Sequence, residues 1–170
     1  HGFWEAKYAV PDELAIQVLT HKSFNNGIKP HNEKLAALGS KLLNLFFMKT
    51  ALNSPTKNDT TSISGKNLDS LGSKFSRTLC DRAPLALFAK EHKLSKIMFW
   101  TSYNPKLNMA QSGELKVSGQ MMYALVGAVA LAHGKHAAET FIQDKLVKVQ
   151  PSLYTIAEQL VTQEGEAESI

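Results

Sequence analysis

The chain has 170 residues, of which 44% are hydrophobic, which suffices for one packed domain and is too short for two ordinary ones. A formal net charge of +4, with the acids Glu164, Glu166 and Glu168 at the far end, leaves a basic body that favours polyanionic partners such as RNA, although a merely soluble surface has the same composition. The single cysteine, Cys80, excludes an internal disulfide and a thiolate metal cluster, and since no apolar run approaches the roughly 20 residues that cross a bilayer, we expect a soluble protein.

Two helices are predicted in the first third of the chain. The first begins at Pro11 and Asp12, and Gly27 and Pro30 break the chain after it. Asn32 is the predicted N-cap of the second, which runs from Glu33 to about Thr50. This second helix carries two apolar stripes and is predicted to lie centrally; the stripes are Leu35, Leu38, Leu42 and Leu45 on one side and Ala36, Ser40, Leu43 and Phe47 on the other.

The middle of the chain alternates between loops and helices. Residues 53–67 are polar and rich in turn formers, which predicts a surface loop. Helical spacing resumes over residues 68–79, and Asp81 followed by Pro84 predicts a new helix start. The segment 97–113 has no clear period, and we expect its aromatics to pack under the domain rather than meet a partner; they are Phe99, Trp100 and Tyr103.

The last third contains the most apolar segment. Residues 115–132 predict the most buried helix, which ends at Gly134. A further helix closes at Pro151, and Ser152 is the predicted cap of a short last one. The predicted organisation is therefore a domain over residues 1–150, a C-terminal helix over 151–163 packed on it, and a flexible acidic tail over 164–170. Since no strand alternation is present, the predicted class is all-α.

Three segments, in this order, resemble the ribonuclease III endonuclease domain. They are "VLTHKSF" (18–24) with "HNEKLAALGS" (31–40), then "SRTLCDRAPLALFAKEHKL" (76–94), then "GQMMYALVGAVALAHGKHAAETFI" (119–142). The resemblance covers most of residues 14–147 and implies the ribonuclease III-like helical fold.

The resemblance also implies a site that this chain has lost. The family holds Mg²⁺ with four carboxylates, two on the signature helix and two on the later buried helix. The matching positions here are Ala36, Ser40, Gln120 and Tyr123, and neutral side chains do not hold a strongly hydrated divalent cation. We therefore expect no catalytic residue, no metal site and no cofactor. Glu33 is assigned to the helix N-terminus and His21 to structural support.

What remains is a basic scaffold that resembles most the fungal mitochondrial large-subunit ribosomal proteins of this fold. The resemblance implies a structural protein in the mitochondrial matrix, bound to ribosomal RNA and other mitochondrial ribosomal proteins. A second ribonuclease III-like subunit is an expected partner, because Ala37 stands where the family has a phenylalanine at its dimer contact. Candidate phosphate-binding side chains are Lys34, Lys41, Lys90, Lys93, Lys96, Lys135, Lys145 and Lys148.

Two other interpretations follow from the same fold. The chain could be the inactive partner subunit of a heterodimeric ribonuclease III-type nuclease or RNA-editing complex, which the sequence does not separate from the ribosomal interpretation. A small active ribonuclease III is disfavoured by the four missing carboxylates.

Overall fold

All regular secondary structure is helical in the computed structural model, which describes residues 5–55, 60, 62–102, 104 and 106–168. Within these residues two isolated β-bridges occur but no strand, which confirms the all-α prediction. Short 3-10 turns and one turn of π-helix, Gln143–Val147, connect the helices. The helices are α1 (Asp12–Leu19), α2 (Glu33–Asn53), α3 (Lys74–Cys80), α4 (Arg82–Glu91), α5 (Glu114–His133), α6 (Lys135–Ile142) and α7 (Leu153–Glu168).

Helix α5 is the centre of the core. Nearly every residue from Val117 to Val129 is buried, because apolar or small side chains occur on every side of this helix. Gly134, with φ of +89°, ends the helix in a conformation that suits glycine. Both features were predicted from the sequence.

Helix α2 crosses α5 at two glycines. A β-carbon at Gly39 would overlap the carbonyl oxygen of Tyr123, and one at Gly127 would overlap the carbonyl oxygen of Leu35. The two backbones therefore approach more closely than any side chain would permit. The crossing buries the α2 stripe that contains Ala36, whereas the other predicted stripe is partly exposed; Leu38 and Leu45 are 41% and 42% exposed.

One helix start differs from the predictions, and two agree. Helix α3 begins at Lys74 rather than near Leu68, because the Ser73 hydroxyl accepts a hydrogen bond from the Ser76 amide at 3.1 Å and caps it there. Asn32 occupies the predicted N-cap of α2 without capping it through its side chain. Helix α4 starts directly after Asp81, as predicted.

The segment after α4 only partly packs inward. Phe99 is 46% exposed, so the expectation that it packs under the domain was wrong, and Trp100 is half-buried. Tyr103 lies outside the described residues. The predicted loop over 53–67 is mostly exposed where it is described, with residues 56–59 and 61 outside that part. Asn67 anchors its end by donating to the Pro55 carbonyl at 3.1 Å.

The C-terminal helix is longer than predicted. The Ser152 hydroxyl accepts a hydrogen bond from the Thr155 amide at 3.1 Å, which is the expected cap. Helix α7 then continues to Glu168, past the predicted end of the helix at residue 163.

Two helices, α2 and α5, are long and apolar enough to cross a bilayer by length and composition. The expectation that no segment approaches this length was therefore wrong. The most apolar stretch of α5 is 67% buried and that of α2 is 28% buried. Because the core helix of a folded domain passes the same test, this is weak evidence for a membrane span.

Candidate nucleic-acid interface

The four positions that the family resemblance assigns to metal-binding carboxylates converge in space. Ala36 and Ser40 from α2 and Gln120 and Tyr123 from α5 line one depression of about 240 Å³, together with Glu33, Ala37 and Arg82. We call this depression the valley. The close crossing at Gly39 and Gly127 brings the two helices together there, so the sequence pattern identified positions that do meet.

Two of the polar side chains in the valley are engaged within the fold. The Ser40 hydroxyl donates to the carbonyl of Ala37 at 3.0 Å, which is a bond within α2. The Gln120 amide donates to the side-chain oxygen of Asn32 at 3.0 Å, and Asn32 donates to the carbonyl of Val18 at 2.8 Å. Asn32 is therefore a buried bridge between α1, α2 and α5, which explains why it does not cap α2.

Tyr123 fills the side of the valley nearest α3. Its hydroxyl donates a hydrogen bond to the carbonyl of Cys80 at 2.6 Å. Burial, with the nearby carboxylate of Asp81, raises the pKa of Tyr123 to about 12. The side chain is therefore a neutral phenol at physiological pH, and its oxygen supplies no negative charge for a metal.

The charge of the valley is not that of a cation site. Glu33 is the carboxylate that lines it, and the Lys22 ammonium lies 2.9 Å from a carboxylate oxygen of Glu33. The hydrogen bond from Lys22 lowers the pKa of Glu33, so this acid is ionised and its charge is balanced. Arg82 adds a positive charge. Within the described part of the chain, no group of three His, Cys, Asp or Glu side chains is placed to hold a metal ion.

A larger cleft adjoins the valley and shares Glu33, Arg82 and Gln120 with it. Its volume is about 740 Å³. We call it the basic cleft, since its cationic and aromatic lining is His21, Lys22, Arg82, Lys116 and Trp100. The sequence analysis missed this site, although His21 and Lys22 belong to the quoted "THKS" segment. Its other members are distant in the sequence and belong to different elements.

Most of the candidate lysines lie on the surface but outside both depressions. Lys34 and Lys41 are exposed on α2, and Lys90, Lys93 and Lys96 are exposed at and after the end of α4. Lys135 and Lys148 are exposed and form ion pairs within α6 and the turn after it, with Glu139 at 3.8 Å and Asp144 at 3.2 Å. None of these seven lines the valley or the basic cleft.

Lys145 does not belong to the candidate set. It is 5% exposed, and its ammonium lies 2.6 Å from a carboxylate oxygen of Glu5. The hydrogen bond from Lys145 is the main cause of the lowered pKa of Glu5. Helical spacing predicted Lys145 on the surface of a regular helix. The residue instead lies in the π-helical turn Gln143–Val147, which has no recognisable sequence pattern.

Comparison with known proteins agrees with this geometry. A family model described as ribonuclease-III-like matches residues 11–150. The large ribosomal subunit protein mL57 of Neurospora crassa is 26% identical over 147 residues, which cover 81% of this chain and 55% of that protein. Ribonuclease 3 of Corynebacterium diphtheriae is 30% identical over 127 residues, which cover 74% of this chain and 47% of that enzyme. The chain thus spans about half the length of these curated relatives.

A solved structure supports the fold. The nuclease domain of ribonuclease III from Campylobacter jejuni matches with a TM-score of 0.62 at 24% identity, covering 85% of this chain and 92% of that domain. At this identity the match concerns the fold alone.

Proposed function

The chain belongs to the ribonuclease-III-like family, and from that membership we propose that it is a non-catalytic RNA-binding protein of the mitochondrial large ribosomal subunit. The observation that carries the proposal is the valley: the fold of a nuclease is retained while all four positions that the family resemblance assigns to metal ligands are neutral. The similarity to mL57 of Neurospora crassa supports the ribosomal and mitochondrial assignment.

The absence of carboxylates accounts for the loss of chemistry. In a metal-dependent nuclease the cation activates a water molecule and stabilises the charge that develops on the phosphodiester. Mg²⁺ requires hard oxygen ligands, chiefly carboxylates, and Glu33 is already paired with Lys22. Because Lys22 already balances the charge of Glu33, the positive charge of Arg82 makes the valley attract phosphate rather than a metal cation.

Binding of ribosomal RNA is the function that this surface retains. The exposed lysines suit contacts with the phosphate backbone, which position RNA but read little sequence. Since Lys145 is buried, the proposed phosphate-binding lysines are the seven exposed ones: Lys34, Lys41, Lys90, Lys93, Lys96, Lys135 and Lys148. To bind phosphate, Lys135 gives up its ion pair with Glu139, and Lys148 gives up its ion pair with Asp144.

A second ribonuclease III-like subunit is the protein partner that we propose, and the outer face of α2 is the surface for it. Leu38, Leu45 and Met48 are 41%, 42% and 46% exposed and recur at helical spacing. Ala37, also exposed, leaves the face without a bulky aromatic. A partner that supplies larger side chains would complement it better than a second copy of this chain.

Native purification tests the proposed function. The chain, tagged at its C-terminus, should co-sediment with the mitochondrial large ribosomal subunit through a high-salt gradient. Its recovery instead with a nuclease or an RNA-editing complex, and not with the ribosome, would overturn the ribosomal assignment in favour of the inactive-subunit alternative.

A further inference from the structure

One wall of the basic cleft is a short extended segment that is fixed to the loop after α1. The amide of His21 donates to the carbonyl of Phe99 at 2.9 Å, and the amide of Phe99 donates to the carbonyl of Leu19 at 2.9 Å. The hydroxyl of Thr101 donates to the carbonyl of Ser23 at 2.9 Å. Trp100 lies between the anchored residues Phe99 and Thr101. It lines the cleft and is half-buried.

His21 lines the same cleft and contains a buried ring nitrogen that has no hydrogen-bond partner among the described residues. Its Nδ1 accepts from the Ser23 amide at 3.1 Å, which places the proton of the neutral ring on Nε2. Burial, with the charges of Lys22 and Lys116, lowers the pKa of His21, so the ring is neutral at physiological pH. The side chain is 9% exposed and Nε2 has no partner. A buried donor left without an acceptor is costly, and the neutral ring adds no charge to the cleft.

Arg82 and Lys116 supply positive charge that the fold does not neutralise. Neither forms an ion pair with another described residue, unlike Lys22, which is held by Glu33. Arg82 lies close to α5 because Gly119 has no side chain: a β-carbon there would lie 2.9 Å from the β-carbon of Arg82. The packing of α4 on α5 therefore positions the guanidinium at the boundary between the valley and the cleft.

We propose that the basic cleft binds one unstacked nucleotide of an RNA strand, with its phosphate at Arg82 and Lys116 and its base against Trp100. This proposal rests on the proposed RNA-binding function and names a site within it. A volume of about 740 Å³ lies in the range of sites for small organic ligands. RNA-binding proteins commonly recognise unpaired bases by stacking on aromatic side chains.

The continuity of the cleft with the valley favours an RNA strand over a free nucleotide. The two depressions share three lining residues, so a strand that enters through the valley can place one nucleotide in the cleft and continue along the surface. A fully paired duplex offers no such nucleotide, because its bases are stacked within the helix. The cleft therefore distinguishes unpaired from paired RNA, which the surface lysines do not.

Tryptophan fluorescence tests the site directly. The chain contains only Trp4 and Trp100, so a full-length Trp4→Phe variant reports on Trp100 alone. Three probes are titrated: random-sequence single-stranded RNA, the same strand annealed to its complement, and adenosine monophosphate. Saturable quenching is expected with single-stranded RNA at concentrations well below those at which the duplex or the mononucleotide acts.

Matched variants assign the contacts. Trp100→Leu should weaken single-strand binding about tenfold, whereas Trp100→Phe, which retains a stacking ring, should remain close to the parent. Arg82→Ala and Lys116→Ala should each weaken it about tenfold, and Lys106→Ala, an exposed lysine outside the cleft, should have little effect. Binding by the leucine variant is measured by competition with labelled RNA, and thermal melting establishes that each variant is folded.

The other outcomes overturn the proposal in distinguishable ways. Equal binding of duplex and single strand, with no effect of Trp100→Leu, would leave RNA binding intact and exclude the cleft as its site. Binding of adenosine monophosphate as tight as that of RNA would make the cleft a site for free nucleotides. Failure of every RNA to bind, together with absence from the ribosome, would remove the proposed function as well.

Discussion

The phenol of Tyr123 donates to the backbone carbonyl of Cys80 across 2.6 Å, and this bond joins the middle of α5 to the last residue of α3. It occupies the place where the family resemblance puts a metal-binding carboxylate. A side chain that is used in this way belongs to the packing of the domain. One side of the valley is therefore a packing contact between helices, and its other side borders the basic cleft.

Removal of the Tyr123 hydroxyl should have a pH-dependent effect on stability. Tyr123→Phe deletes one hydrogen bond, and we expect a loss of about 1 kcal/mol in the free energy of unfolding at neutral pH. Because the pKa of Tyr123 is raised to about 12 in the folded chain, its contribution is complete below its unfolded pKa near 10 and is lost as the pH rises toward 12. Urea unfolding at neutral pH and at about pH 11 measures both effects. A variant that loses as much stability with pH as the parent would contradict this assignment.

Gly39 should tolerate no side chain. Gly39→Ala forces α2 away from the carbonyl of Tyr123, and we expect the free energy of unfolding to fall by about 2 to 3 kcal/mol. Gly165→Ala is the matched control, because a β-carbon there meets no neighbouring atom within 4 Å and the helix interior favours alanine. Equal stability of the two variants in denaturant unfolding would show that the helices do not cross this closely.

Lys145 and Lys90 should separate stability from RNA binding. Lys145→Met leaves Glu5 without its buried partner, so the melting temperature should fall by a few degrees while the salt dependence of RNA binding is unchanged. Lys90→Met should leave the melting temperature unchanged and reduce the slope of log affinity against log salt by about 1. Melting curves and RNA titrations at several salt concentrations measure both. The reverse pattern would restore Lys145 to the interface.

The purified protein should not cleave double-stranded RNA in the presence of Mg²⁺. The four valley positions lack carboxylates, and Glu33 is paired with Lys22. Gel electrophoresis of a labelled duplex, with and without a chelator, is the measurement. Robust cleavage that the chelator abolishes would overturn the non-catalytic proposal, and its loss in Glu33→Gln would identify Glu33 as a substitute ligand.

The outer face of α2 should be needed for assembly but not for folding. Leu45→Glu places a charge on an exposed apolar face, so the isolated chain should melt normally while co-purification of its protein partner is lost. Leu131→Glu, at a position that is 65% exposed near the end of α5, is the control and should leave the partner bound. Retention of the partner by Leu45→Glu would exclude this face as its docking surface.

Much of the fold follows from local patterns. The apolar run of α5, the end at Gly134, the caps of α4 and α7, and the all-helical class were each visible in the sequence, because they depend on residues close together in the chain. The convergence of Ala36, Ser40, Gln120 and Tyr123 was predicted only through the family resemblance. The seven surface lysines remain predictions, since exposure is compatible with binding and with plain solvation.

The sequence by itself determined which helices form, which of them is most buried, and that the positions matched to the family's carboxylates by resemblance are neutral. Only the tertiary structure decided what occupies the vacated space: the Tyr123 bond to Cys80, the bridge through Asn32, and the approach of Arg82 over Gly119. It also removed Lys145 from the surface and assembled the basic cleft around His21, Trp100 and Lys116. These features join residues as much as 140 positions apart, as in the pair of Glu5 and Lys145. Periodicity describes which way a side chain faces on its own helix, whereas its neighbours depend on how the helices cross.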